Sequence, residues 1–431
     1  MDSPVSGGRI VKMFRRGFSH GKVPAVSLSR NSPPLWRGGN KPVFSIPSLR
    51  LKSTGGRGVP NGRTDHKNEE GKEVFSMAKI KVGVIGTGGI SNEHIRAYLK
   101  NPDVELYAFC DINEERVKMM GEKYGVTRLY TDKDEMLKLS ELDAVSVCTW
   151  NSAHAECTIA ALNAGKHVLC EKPMALNAQQ AKEMQAAAEK NGKLLMIGFV
   201  RRYGNDCAVL KDFIDNGYFG DIYYTKATYL RRKGNPGGWF GDKSRSGGGP
   251  LIDLGVHVID LTRYLSGLGK PVSVYGATFQ KLFDRRDIKG KPGYVATSGK
   301  EDDICDVEDM ATAMVRYDNG VVLQVEASFS LNLKKDTGTI ELFGTKAGAK
   351  LDPELEIYTD MNGYMTNTQL TMPTALSFDG LFANEINHYI ECIRDGVPCK
   401  SPAQDGVTLM KILDGIYESA RTGHEVLIDN D

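Results

Sequence analysis

The stretch Lys79-Ile80-Lys81-Val82-Gly83-Val84-Ile85-Gly86-Thr87-Gly88-Gly89-Ile90-Ser91 decides how the rest of the chain is read. A short apolar run, Val82 to Ile85, leads straight into a glycine turn, and an amphipathic stretch, His94 to Lys100, follows it. The next apolar run, Val104 to Cys110, closes on an acid, Asp111. Strand, glycine loop, helix, strand, acid is the order of a dinucleotide site. Gly86 makes the tight turn, and Gly88 lets backbone N–H groups reach a pyrophosphate at a helix N-terminus, with Gly89 and Ile90 completing the cradle. The competing account is a glycine turn in some other α/β domain. The third glycine position of the motif holds Ser91 instead of Gly or Ala.

Asp111 lies 25 residues beyond Gly86. A carboxylate at the end of the second strand accepts the hydroxyls of the adenosine ribose and repels a 2′-phosphate, so the sequence favours NAD over NADP. Asp111-Ile-Asn-Glu-Glu also reads as a helix start, and the two roles coexist.

The chain has 431 residues, 41% hydrophobic and 25% charged, which suits a soluble globular protein of two or three domains. No apolar run approaches the length of a membrane span, so no membrane partner is expected. The formal net charge of +1 hides an asymmetry, because residues 1–76 hold fourteen Lys and Arg against five Asp and Glu. The remaining body is mildly acidic, which argues against a nucleic-acid surface. The eight cysteines contain no C-x-x-C. They read as buried thiols in a reducing, cytoplasmic setting, and neither a disulfide framework nor a zinc site is expected.

Residues 1–76 are rich in Ser, Gly, Arg and Pro and show no sustained period. They are expected to be a basic, disordered extension outside the fold; a transit peptide or a basic interaction tail are the alternatives. From 77 to 200 short apolar runs alternate with helical patterns. Strands are expected at 81–85, 104–110, 144–149, 168–170 and 194–199, and helices at 91–100, 114–124, 153–164 and 178–190. That alternation implies a doubly wound parallel sheet with its ligand beyond the strand C-termini. From 201 to 431 longer alternating runs appear at 222–230, 272–279, 310–317, 321–329 and 339–343, with Asp318-Asn319-Gly320 as a hairpin turn. They predict a second α/β domain with a mostly antiparallel sheet, a helix at 251–265 on one face, and C-terminal helices at 381–394 and 405–422.

Two constellations carry chemistry. Glu171-Lys172-Pro173 follows a strand, where the Lys172 ammonium would stabilise a substrate alkoxide. Gly247-Gly248-Gly249-Pro250 opens an apolar helix carrying Asp253, His257, Asp260 and Tyr264 as one polar stripe. His257 reads as a general base with Asp253 orienting it or binding a second substrate hydroxyl; a satisfied structural network is the bland account. The triple glycine allows close approach of a ligand. Asp253 and His257 supply only two metal ligands, so no metal is expected.

These motifs, with Thr149-Trp150-Asn151-Ser152-Ala153-His154 and Gly198-Phe199-Val200-Arg201-Arg202-Tyr203, recur in an order that resembles the Gfo/Idh/MocA family. The resemblance covers about residues 77–425. It implies an N-terminal Rossmann domain and a C-terminal α/β domain with a large, mostly antiparallel open sheet used for substrate and for homo-oligomerisation as a dimer or tetramer. It implies that Lys172, Asp253 and His257 form the catalytic set, that Thr149, Asn151, His154, Glu171 and Lys172 lie on the cofactor side, and that Arg202 lies on the substrate side. Trp150 departs from the proline common in that motif, and the insertion 234–246 with Trp239 and Phe240 is variable. Trp239 is expected to stack on a sugar face.

The resulting expectation is an NAD-dependent oxidoreductase that reversibly oxidises a secondary hydroxyl of a sugar, sugar derivative or inositol-like polyol. One alternative is a redox-neutral glycosidase with tightly held NAD, acting by transient oxidation and elimination. Another is a non-catalytic NAD(H) or sugar sensor.

Overall fold

In the computed structural model the apolar run of the glycine motif becomes strand β3 (Ile80–Ile85), with Val82 and Val84 fully buried. The structure describes residues 78–290, 294–296, 299–300, 302–371, 373–374 and 378–429, together with two short strands, β1 (Asp65–Lys67) and β2 (Glu73–Phe75). β1 and β2 pair antiparallel inside the stretch for which the sequence suggests no element. The rest of that basic extension lies outside the described residues.

β3 is flanked by β4 (Val104–Cys110) and β6 (Ala144–Val147), and β5 (Leu129–Tyr130), β7 (His167–Glu171) and β8 (Leu195–Gly198) complete a sheet ordered β5-β4-β3-β6-β7-β8. Every neighbouring pair is parallel. Helices α1 (Ser91–Lys100), α2 (Glu114–Tyr124), α3 (Lys133–Leu137), α4 (His154–Asn163) and α5 (Ala178–Asn191) make the crossovers. Helices on both faces bury the strands, which explains apolar runs without alternation. The strand order reverses between β3 and β6, and that switch point is where such sheets bind ligands.

A nine-stranded sheet follows. Its strands are β9 (Ile222–Leu230), β10 (Pro271–Phe279), β11 (Met310–Tyr317), β12 (Val322–Ser328), β13 (Thr337–Gly344), β14 (Ala347–Leu351), β15 (Glu356–Met361), β16 (Tyr364–Gln369) and β17 (Val426–Leu427). The order is β16-β15-β14-β13-β9-β12-β11-β10-β17, antiparallel except for the β9–β12 pair. Strands β14 to β17 go beyond the sequence expectation; β14 is built of small residues, and β15 and β16 bury little. Burial alternates along β11 and β12, so one face is packed and the other open.

The packed face carries α8 (Val256–Ser266), preceded by a single π-helical turn, Leu251–Gly255, where the sequence suggests a continuous α-helix. Helices α6 (Asn205–Asp215) and α7 (Lys243–Ser246) flank it. The last helices, α9 (Phe378–Asp395) and α10 (Ala403–Thr422), return to the first sheet, α9 packing on α1 and α10 on α5. Lys172, just past the C-terminus of β7, reaches Asp253 in the turn before α8.

Candidate active site

Gly86 adopts φ +87°, and a Cβ there would sit 2.7 Å from the Cys148 carbonyl oxygen, so the turn admits only glycine. Above Gly88 a Cβ would meet nothing within 4 Å, which leaves the loop backbone open to a ligand. Ser91, at the third motif position, is buried, and its hydroxyl donates to the Gly88 carbonyl at 2.7 Å. The serine thus braces the loop from inside the helix. Asp111 Oδ2 accepts from the Thr87 N–H at 2.8 Å and its hydroxyl at 2.9 Å, while Oδ1 accepts from the Asn113 N–H at 2.9 Å. The carboxylate ties loop to strand end, and since each oxygen can accept twice, Oδ1 keeps one lone pair free while Oδ2 is fully used by Thr87. An open cradle at the start of α1 beside a fixed acid fits a dinucleotide.

Across the cradle, Lys172 leaves the end of β7. Its Nζ donates to Asp253 Oδ1 at 2.8 Å and to the Asp253 carbonyl at 3.0 Å. Asp253 sits in the π turn, four residues before His257. The Asp253 carboxylate is paired with lysine, and among the described residues no hydrogen bond joins it to His257, so of its two expected roles the geometry lacks the contact that orienting the imidazole requires. Among the described residues the His257 ring makes no hydrogen bond, and it is only partly buried. Burial, then the positive charges of Lys172, Arg201 and Arg231, drive its pKa well below the ordinary imidazole value. The group is a neutral imidazole with a free lone pair at neutral pH, which is the state a base requires.

A buried chain supports Lys172 from behind. Tyr98 OH bonds Ser146 Oγ at 2.7 Å, Ser146 Oγ meets His94 Nδ1 at 3.1 Å, and His94 Nε2 meets Glu171 Oε1 at 2.7 Å. Glu171 Oε2 then accepts the Lys172 N–H at 3.2 Å. Burial opposes ionisation of Glu171, yet His94, Lys172 and His154 hold its carboxyl below the usual range.

Several expected site residues stand one layer back. Arg202 is not on the substrate side: only 4% exposed, it grips Asp260 with two nitrogens and donates to Asp405 Oδ2 at 2.7 Å and to the Lys400 carbonyl. All its donors face protein. Its neighbour Arg201 pairs with Asp352, and its positive charge is among those that lower the His257 pKa. His154 is not on a cofactor surface either. It is 1% exposed, with Nδ1 against the Pro173 carbonyl at 2.7 Å and Nε2 against the Thr149 carbonyl at 3.2 Å, so it joins the loops after β6 and β7. The Asn151 amide donates to the Ser246 carbonyl at 2.7 Å, and the Glu171 carboxylate is committed to His94 and Lys172. Thr149 is partly exposed at the end of β6. Trp150 has φ −73° and ψ 159°, angles a proline would also take, and Arg245 covers its ring.

Two features escaped the sequence. Tyr294 places its hydroxyl 3.2 Å from where a Gly89 Cβ would be. Burial raises its pKa, as does the Asp253 charge, with Lys172 opposing. Its ring meets Phe240, which stacks on Trp239 at 4.0 Å, so these aromatics wall the space between glycine loop and α8. Glu308 accepts from the N–H groups of Gly249 and Leu251 at 2.9 and 3.2 Å and from Tyr417 OH at 2.9 Å. It anchors the turn that carries Asp253. A Cβ at Gly248 or Gly249 would lie 2.1 Å from Tyr417 OH or from the Glu308 carbonyl oxygen. The triple glycine thus accommodates protein, not ligand. Tyr294 and Glu308 lie in polar stretches without periodicity, which gave no signal.

The fold and this site define an NAD-binding oxidoreductase. Residues 80–199 match the profile of the oxidoreductase family with an NAD-binding Rossmann fold, and 208–350 match the GFO/IDH/MocA C-terminal domain. D-glucoside 3-dehydrogenase of Escherichia coli is 34% identical over 82% of this chain and 99% of its own. Myo-inositol 2-dehydrogenase of Thermotoga maritima is 29% identical over 76% and 92%. Levoglucosan dehydrogenase solved with NADH superposes with a TM-score of 0.72 at 25% identity, over 82% of this chain and 100% of that one. The chain belongs to the Gfo/Idh/MocA family. No helix among the described residues is long and apolar enough to cross a membrane.

Proposed function

We propose that this chain oxidises a secondary hydroxyl of a sugar, glycoside or cyclic polyol to a ketone, reversibly. The observation that carries this reading is the Lys172–Asp253 pair beside an unpartnered, neutral His257. Gly86, Gly88, Gly89 and Ile90 would hold the pyrophosphate of NAD, and Asp111 the adenosine ribose. NAD supplies, when bound, an acceptor for the hydride leaving the hydroxyl-bearing carbon. His257 takes the hydroxyl proton. Lys172 donates to the same oxygen and stabilises its developing negative charge. Asp253 holds the ammonium in place and offers its remaining lone pairs to a neighbouring hydroxyl. Trp239, Phe240 and Tyr294 give a sugar ring an apolar wall. The relatives named as glucoside, inositol and levoglucosan dehydrogenases support a polyhydroxylated substrate.

The test follows NADH absorbance with inositols, hexoses and glycosides and free NAD, with Lys172→Ala and His257→Ala as controls. NADH formed by the wild type and by neither variant supports the reading. Tightly retained NAD, no net NADH and a cleaved glycoside would replace it with redox-neutral elimination. A cytoplasmic homo-oligomer belongs to the same proposal. The open sheet face supports association, since Tyr275 and Met314 sit opposite each other and are 56% and 51% exposed; light scattering gives the particle mass.

A further inference from the structure

The end of α9 gathers three soft donors far along the chain from Lys172 and His257. His388 and Cys392 are four residues apart and share one helix face. Gly396, at φ +68°, turns the chain back after the helix and brings in Cys399. Cys392 Sγ lies 3.4 Å from His388 Nε2, and the two sulfurs and the imidazole nitrogen all lie within 4.8 Å of one another. A tetrahedral zinc ion with its usual bond lengths sets such atoms about 3.4–3.8 Å apart. His388 Nε2 accepts the Lys400 N–H at 3.0 Å, so it is the unprotonated nitrogen, the form that can ligate a metal once that N–H gives way. Cys392 and Cys399 are partly exposed, which leaves an entry path.

The cluster also sits at a junction. The segment just after Cys399 runs along the edge of β8, where the Ile197 N–H donates to the Ser401 carbonyl at 2.9 Å and Met196 bridges Pro402. The Lys400 carbonyl accepts from Arg202, which grips Asp260 on α8.

We propose that His388, Cys392 and Cys399 bind one zinc-class ion that staples the end of α9 to the edge of the first sheet. Binding releases two thiol protons, leaves both sulfurs as thiolates and involves no change of oxidation state. The three protein ligands leave a fourth position for water. The Lys400 N–H yields the imidazole lone pair to the ion and turns to solvent at this partly exposed segment.

The test uses the full chain, reduced and stripped of metal, titrated with Co(II). The expected result is a sulfur-to-cobalt charge-transfer band that saturates at one equivalent and is bleached by Zn(II). Cys392→Ser and Cys399→Ser should each weaken it at least twofold, while Cys305→Ser leaves it intact. A second measurement needs no variant: Zn(II) should protect Cys392 and Cys399, among the eight thiols, from alkylation read by mass spectrometry. No saturable band at a tenfold excess of Co(II), a band unchanged in the Cys392→Ser/Cys399→Ser double variant, or no selective protection overturns the proposal.

Discussion

Lys172 Nζ lies 2.8 Å from Asp253 Oδ1 and 3.0 Å from the Asp253 carbonyl, so one ammonium joins the end of β7 to the π turn before α8. Replacing Lys172 by Met removes the only donor placed to meet a charged substrate oxygen in the proposed mechanism. Turnover should fall by about 10²–10³-fold, the usual effect of losing one oxyanion donor. The NAD dissociation constant, read by fluorescence titration, should change little. Retention of more than a tenth of the wild-type turnover would contradict the role.

His257 titrates well below a free imidazole because burial and the charges of Lys172, Arg201 and Arg231 disfavour its cation. The acid limb of kcat/KM should therefore fall below the ordinary imidazole range near 6.5. The stability sign follows from the same shift. Below about pH 6.5 the unfolded chain binds a proton at this position that the folded chain refuses, so stability is lost as pH falls. His257→Gln should flatten melting temperature against pH over that acid range while abolishing turnover.

Asp111 is 6% exposed, and Arg116 Nη1 lies 3.6 Å from Oδ2. Asp111→Ser removes the charge that would repel a 2′-phosphate and leaves Arg116 free to meet one. The ratio of kcat/KM for NAD over NADP should drop by at least about tenfold, the worth of one 1.4 kcal/mol interaction. An unchanged ratio would assign Asp111 to loop bracing alone.

Arg202 and Asp260 are both nearly inaccessible, at 4% and 1% exposure. Arg202→Met strands a buried carboxylate and should cost on the order of 3–5 kcal/mol in denaturant unfolding. Arg202→Met with Asp260→Leu should recover part of that loss. A substrate-binding role would instead raise KM with stability intact.

Glu385 on α9 is fully buried, and neither carboxylate oxygen has a hydrogen-bond partner among the described residues. Burial, then the nearby Glu171 charge, raises its pKa well above the ordinary value. The folded chain therefore keeps a proton that the unfolded chain releases above about pH 4.3. Its contribution is full below that pH and declines as pH rises toward the folded pKa. Glu385→Gln should remove this slope, about 1.4 kcal/mol per pH unit, and raise the melting temperature at mildly alkaline pH relative to wild type.

The first sheet was legible because its strands are buried on both faces, and a run such as Val104–Cys110 needs no context to be read. β14 to β17 were not, because a half-exposed strand such as β16 holds Tyr364, Met365 and Gln369 in no pattern separable from a polar loop. Helix α8 was legible from its apolar sides, but the π winding of Leu251–Gly255 was not. It depends on Glu308, 57 residues from Leu251, capturing two backbone N–H groups.

The contrast is sharpest in adjacent residues. Local composition by itself determined the glycine turn, the acid after the second strand, the lysine after β7 and the Asp253–His257 spacing, because each depends on backbone geometry within a few residues. Which counter-charges Arg201 and Arg202 meet, and whether Asp253 serves His257 or Lys172, was decided only by tertiary structure. A buried charge goes where its counter-charge is, and Asp260, Asp405 and Asp352 reach these arginines only when the chain has folded.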